Sequence, residues 1–112
     1  MKRLIPSLLL FFSCTTGNEP QFQIVEYKKY DSPAKSQVSI RVILPDATKP
    51  QIQSIMKDLF DNARTNRFKF HKEPTHIYIY AYRDSMAISK GAWIAKQERT
   101  ISDTGTLIVR LH

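Results

Sequence analysis

The chain has 112 residues, with 17 Lys and Arg against 10 Asp and Glu and a net charge of +7 at pH 7. That length supports one modest hydrophobic core and excludes two, while a single cysteine excludes an internal disulfide, a Cys-rich zinc site and a CxxC redox centre. The cationic balance favours anionic lipid headgroups, acidic polysaccharides or an acidic protein as partners and ranks nucleic acid behind them.

Lys2 and Arg3 precede an apolar run from Leu4 to Phe12. These are the positive and apolar regions of an export signal, and the run is far too short to span a hydrocarbon core of about 30 Å. Phe11-Phe12-Ser13-Cys14 follows, and it resembles the lipobox of bacterial lipoproteins, in which a small residue precedes a cysteine that becomes the lipidated first residue of the mature chain. Ser13 takes the small position, whereas Phe11 stands where leucine is usual and Phe12 where a small residue is usual. The resemblance implies a signal peptide over 1–13, lipidation with a palmitate-type chain at Cys14, and a protein held on a membrane of the bacterial cell envelope. Each buried methylene of such a chain adds about 0.8 kcal/mol of membrane affinity. Two other readings stay open: a secretory signal cut after Thr15-Thr16-Gly17, and an uncleaved hydrophobic segment.

Residues 14–21 are polar and show no apolar period, which marks a flexible tether before a single folded domain over 22–112. Phe22 to Tyr30 reads as a first strand and Asp31 to Ser36 as a turn. Val38, Ile40, Val42 and Leu44 then alternate with Ser39, Arg41 and Ile43, the period of a strand with one buried face.

Thr48-Lys49-Pro50-Gln51 has the form of a capping box, with Pro50 in the first turn where no intrahelical amide bond is lost. Ile52, Ile55, Met56, Leu59, Phe60 and Ala63 recur at helical spacing, which predicts an amphipathic helix with a core-facing stripe. Arg64, Arg67, Lys69 and Lys72 follow, interleaved with Phe68, Phe70 and His71. Such a mixture can grip an anionic or aromatic partner. More simply, the cations complement the helix dipole while the phenylalanines seal the core, with Asn66 as a left-handed C-cap.

Thr75 to Arg83 alternates throughout, placing Ile77, Ile79 and Ala81 on one face and His76, Tyr78, Tyr80 and Tyr82 on the other. Asp84 to Lys90 reads as a connecting loop, Ala92 to Gln97 as a fourth strand, and Thr106 to Leu111 as a last strand after the turn Ser102-Asp103-Thr104-Gly105. The order is β-β-α-β-β-β. The expected fold is therefore α+β: a two-layer sandwich with a mostly antiparallel sheet of about five strands and one amphipathic helix on one face. From Val38 onward, the helix, the Tyr-rich strand and the stretch from Tyr80-Ala81-Tyr82-Arg83 to Gly91-Ala92-Trp93-Ile94-Ala95 resemble small bacterial domains of unknown function that carry a Gly-x-Trp-like element. That resemblance implies a fold and no activity.

Catalytic parts are sparse. The chain contains no Gly-x-Ser-x-Gly, no His-Glu-x-x-His and no phosphate-cradling glycine loop. Asp84 and Ser85, just after the strand that carries His76, are all that a triad can draw on, and His71 and His76 lack a matching carboxylate pair for a metal. No catalytic residue, metal or cofactor is expected. The candidate surface is the sheet face the helix leaves uncovered, with Tyr78, Tyr80, Tyr82, Arg41, Arg110 and His112, and with Trp93 beside them. Rings and forked donors suit a sugar, an anionic polymer or a partner protein; alternatively the rings only shield the sheet through cross-strand pairing. The expected function is that of an exported, lipid-anchored envelope protein acting as a non-catalytic binding module. The alternative is a small enzyme or inhibitor-like factor acting on envelope polymers.

Overall fold

A computed structural model of the chain describes residues 22–101 and 104–110. The leader, Cys14 and the tether lie outside the described residues, as do Ser102, Asp103, Leu111 and His112. The elements run β1 (Gln23–Asp31), β2 (Ser36–Ile43), α1 (Lys49–Arg64), β3 (His76–Tyr82), α2 (Ser85–Lys90), β4 (Ala95–Arg99) and β5 (Thr104–Val109). The strands form one five-stranded sheet in the order β1-β2-β3-β4-β5. Only β2 and β3 are parallel; the other three neighbours pair antiparallel. The fold is α+β with a mixed sheet.

The parallel pair follows from the connection. A hairpin reverses the chain, whereas α1 carries it back along the sheet, so that β3 starts at the same end as β2. After α1 the strands β3, β4 and β5 form the expected antiparallel meander.

Helix α1 begins where its capping box places it. The Gln51 amide donates to Thr48 Oγ1 at 3.4 Å, and the Thr48 amide donates to Gln51 Oε1 at 2.8 Å; a cap of this kind contributes about 1 kcal/mol. All six stripe residues, Ile52, Ile55, Met56, Leu59, Phe60 and Ala63, are buried. They form one core with Val38, Ile40, Val42, Ile77 and Ile79, and Leu107 and Val109 pack partly buried at its rim. The end of the helix differs from expectation. Thr65 is the cap, in a right-handed conformation, and Asn66 contributes through its side chain, donating from Nδ2 to the Ala63 carbonyl at 2.9 Å and to Tyr27 Oη at 2.8 Å. Arg67 Nη1 donates to the carbonyls of Arg64, Thr65 and Asn66, each at 3.2 Å, so this cation closes the negative end of the helix. Phe68 packs on the core, while Phe70 is exposed.

Residues 85–90 correct the reading of a loop. They form α2, with Asp84 Oδ1 accepting from the Ala87 amide at 2.7 Å and Gly91 closing the helix at φ 67. The cap and the glycine were in the sequence, but α2 buries no residue, so no apolar stripe announced it. Because α2 uses these residues, β4 starts at Ala95 rather than Ala92, and Trp93 precedes the strand instead of lying in it. Arg83 Nη1, at the end of β3, donates to the carbonyls of Leu44 at 3.1 Å and Ala47 at 3.0 Å, which fastens the connection from β2 to α1. Among the described residues no helix is long and apolar enough to cross a membrane.

Candidate binding face

Helix α1 and the stripe of alternate residues Val38, Ile40, Val42, Ile77, Ile79 and Ala95 account for one face of the sheet. The pairing register determines what lies on the other. Glu26, Arg41, Tyr80, Lys96 and Ile108 form one row across all five strands. Lys28, Ser39, Tyr78, Glu98 and Thr106 form the next, and Tyr30, Gln37 and His76 a third. Side chains directly opposite in such rows lie about 4.5 to 5.5 Å apart at Cβ, so each row is a continuous strip of surface.

Several of these side chains meet around Trp93. The Arg110 guanidinium lies 3.5 Å from the centroid of the indole ring, and its Nε and Nη2 donate to the Trp93 carbonyl at 3.3 and 2.9 Å. The ring therefore has a cation stacked on it that is also tied to its own backbone. Lys96 Nζ lies 5.1 Å from the same centroid, within the range of a cation–π contact. Tyr80 meets Trp93 edge-on at 6.3 Å between centroids. The Tyr80 hydroxyl donates to Glu98 Oε2, and Lys96 Nζ stands 3.8 Å from Glu98 Oε1. Burial, followed by the hydrogen bond to Glu98 and the charge of that carboxylate, pushes the Tyr80 phenol up to about 12, so its proton stays in place.

Of the seven residues expected on this surface, Tyr80, Trp93 and Arg110 come together in one cluster. Arg41 sits beside Tyr80 in its row and reaches Glu26 at 3.7 Å. Tyr78 is half-buried in the next row, 6.2 Å from the His76 ring. Tyr82 has the right parity, but at 5% exposure its ring is not open to a partner. His112 and the lipidation position Cys14 lie outside the described residues. Sequence reasoning missed Lys96 and Glu98. Their alternation along 95–99 carried the signal, which a strand drawn from Ala92 with Trp93 inside it obscured.

A second polar group ties the far corner of the sheet. Ser36, fully buried, donates its hydroxyl to Asp31 Oδ1 at 2.6 Å and lies 2.8 Å from His71 Nδ1. Since the serine's one proton goes to Asp31, His71 Nδ1 is the donor in the second bond. Burial acts to raise the Asp31 pKa, yet the Ser36 hydroxyl, the amides of Lys69 and Phe70 and the charge of His71 outweigh it and hold the carboxyl below its ordinary 3.8. A hydrolytic triad needs histidine between serine and acid, taking the serine's proton. Here the serine stands in the middle and gives its proton to the acid, which makes a tie between β1, β2 and the segment before β3. Asp84, Ser85 and His76 are not brought together either, because Asp84 caps α2 beyond one end of β3 while His76 opens the other. His76 Nδ1 lies 2.8 Å from Thr75 Oγ1, and burial, then the charge of Lys35, lowers its pKa. Among the described residues no group of three or more His, Cys, Asp or Glu side chains is arranged to hold a metal ion.

The chain matches no protein-family model, no curated protein and no solved structure.

Proposed function

We propose that the chain is an exported envelope protein, lipid-anchored at Cys14, whose two-layer domain binds an acidic partner on its open sheet face without transforming it. The address rests on the leader and its lipobox-like segment. The binding reading rests on the Trp93 cluster. Arg110 is exposed, is stacked at 3.5 Å on an indole ring, and has no acidic partner among the described residues. A surface arginine usually loses side-chain entropy when it grips a ligand; one already held by a ring and a carbonyl has less to lose. Lys96 on the same ring and Arg41, in the row of Tyr80 and Lys96, extend the cationic character.

Trp93 is the only tryptophan, so intrinsic emission reports on this cluster alone. Titrating the full chain with polygalacturonate, a linear polymer bearing carboxylates, is expected to change Trp93 emission, and neutral dextran is expected to leave it unchanged. Added salt should screen the effect, and Arg110→Ala should weaken it while circular dichroism stays native. Emission unmoved by the acidic polymer at any concentration refutes the reading. For the anchor, cells fed a palmitate analogue should label the wild type and not Cys14→Ala; equal labelling refutes it.

A further inference from the structure

We propose that the open face carries a second anion-binding subsite, formed by Lys28 and Lys35 around Tyr30, and that this subsite and the Trp93 cluster together hold one linear anionic polysaccharide across the sheet. The inference rests on the reading of Trp93 given above and extends it to the class of ligand.

The second subsite is a concavity of about 490 Å³ over β1 and β2, at the opposite edge of the sheet from Trp93. Lys28 and Lys35 line it against one acid, Glu26, which is already engaged by Arg41 at 3.7 Å and Lys28 at 4.0 Å; Lys29 borders it as well but pairs with Val38, so its side chain has the parity of the α1 face. Lys35 Nζ lies 5.8 Å from the centroid of the Tyr30 ring, and that ring is 56% exposed. A concavity with this excess of one sign raises the local concentration of anions. The arrangement repeats that of the Trp93 cluster: a cation over an exposed or half-exposed ring, with one further ammonium group beside it.

The ground between the two clusters is chemically different. It carries Gln37, Ser39 and Tyr78, an amide, a hydroxyl and a phenol ring, and its one cation, Arg41, is engaged by Glu26 at 3.7 Å. Glu98 lies there as well, its charge spent on the Tyr80 hydroxyl and Lys96. A uniformly charged strip would suit any polyanion or an anionic membrane. Two cationic clusters separated by hydrogen-bonding groups and a flat ring suit an acidic sugar chain, whose carboxylates meet the clusters at either end while its hydroxyls and ring faces meet the ground between. Lys28 and Lys96 are three strands apart and one alternation out of row. With strands about 4.8 Å apart and a rise of about 3.3 Å per residue, they stand about 16 Å from one another. A short acidic fragment reaches one cluster; a longer one reaches both.

The consequence is a dependence on chain length. With the full chain and Trp93 emission as the readout, oligogalacturonates graded from the dimer upward are expected to tighten on the order of 10²-fold once a fragment is long enough to engage both clusters, because the second contact becomes intramolecular. In the folded double variant Lys28→Ala/Lys35→Ala the affinities of short and long fragments should converge. Equal affinity for all lengths in the wild type overturns the second subsite and leaves the Trp93 reading standing. No emission change with any fragment overturns both. Vesicles of anionic phospholipid, or an acidic peptide, that move Trp93 emission in a Lys28- and Lys35-dependent way while oligogalacturonates show no step would overturn the polysaccharide as ligand.

Discussion

Gly105, in β5, has φ 107, a conformation that side chains rarely adopt, and a Cβ built on it would lie 2.7 Å from Phe60 Cζ and 3.0 Å from Cε1. Phe60 belongs to the buried stripe of α1 at 8% exposure, so its ring has little room to retreat. Moving β5 away would strain the bond from Gln97 Nε2 to the Gly105 carbonyl, at 2.8 Å. Backbone strain costs about 1 to 3 kcal/mol and overpacking of a core about the same, so Gly105→Ala should destabilise the domain by about 2 to 6 kcal/mol. For a domain of this size that is a fall in Tm of at least about 8 °C. Urea unfolding followed by circular dichroism gives the value directly. Where Gly105→Ala alone is too unstable to measure, Phe60→Leu/Gly105→Ala keeps the test open: shortening the ring removes the contact, so the two losses should fall short of additive by about 1 kcal/mol or more. A loss below about 1 kcal/mol for the single variant would show that β5 does not have this backbone. Strict additivity would show that Phe60 does not lie against it.

Two titrations follow from the polar contacts. Asp31 is held below 3.8, so on acidification the unfolded chain takes up this proton first; the stability it contributes is complete above 3.8 and is lost as pH falls through the folded-state value. Ser36→Ala should flatten that acid limb, and by leaving His71 Nδ1 without its acceptor it should cost about 1 to 3 kcal/mol near neutrality; identical urea midpoints for variant and wild type from neutral to acid pH would refute the tie. The Tyr80 phenol is raised from 10 to about 12, so its contribution is complete below pH 10 and lost as pH rises toward 12. Glu98→Gln should bring the phenolate absorbance transition down while burial keeps it above 10, and an unmoved transition would show that Glu98 is not its partner.

What could be read from the chain is what neighbours in sequence decide. The capping box at Thr48 and Gln51 and the stripe from Ile52 to Ala63 specify a helix and its buried face, because residues three and four apart meet on one side of a helix whatever the rest of the chain does. The alternation in β2 and β3 likewise assigns Val38, Ile40, Val42, Ile77 and Ile79 to the core without knowledge of their partners. The candidate face was legible to the same extent: parity along β3 put Tyr78 and Tyr80 opposite that core.

Tertiary structure decided the rest. Helix α2 has good caps but no apolar stripe, so nothing periodic in the sequence distinguishes it from a loop, and the burial of Tyr82 likewise contradicts its parity in β3. Which cations meet which ring depends on strand register. Trp93 and Arg110 are 17 residues apart, and Ser36 and His71 are 35 apart, distances over which sequence carries no periodic signal. Gly105 could be read as a turn residue; that its missing side chain makes room for Phe60 becomes visible only when α1 has packed on β5. The chain's own pattern determined which residues turn inward and which outward, because that is local geometry. Only folding determined which outward residues share a site, because pairs so far apart are brought together by the packing of the whole sheet.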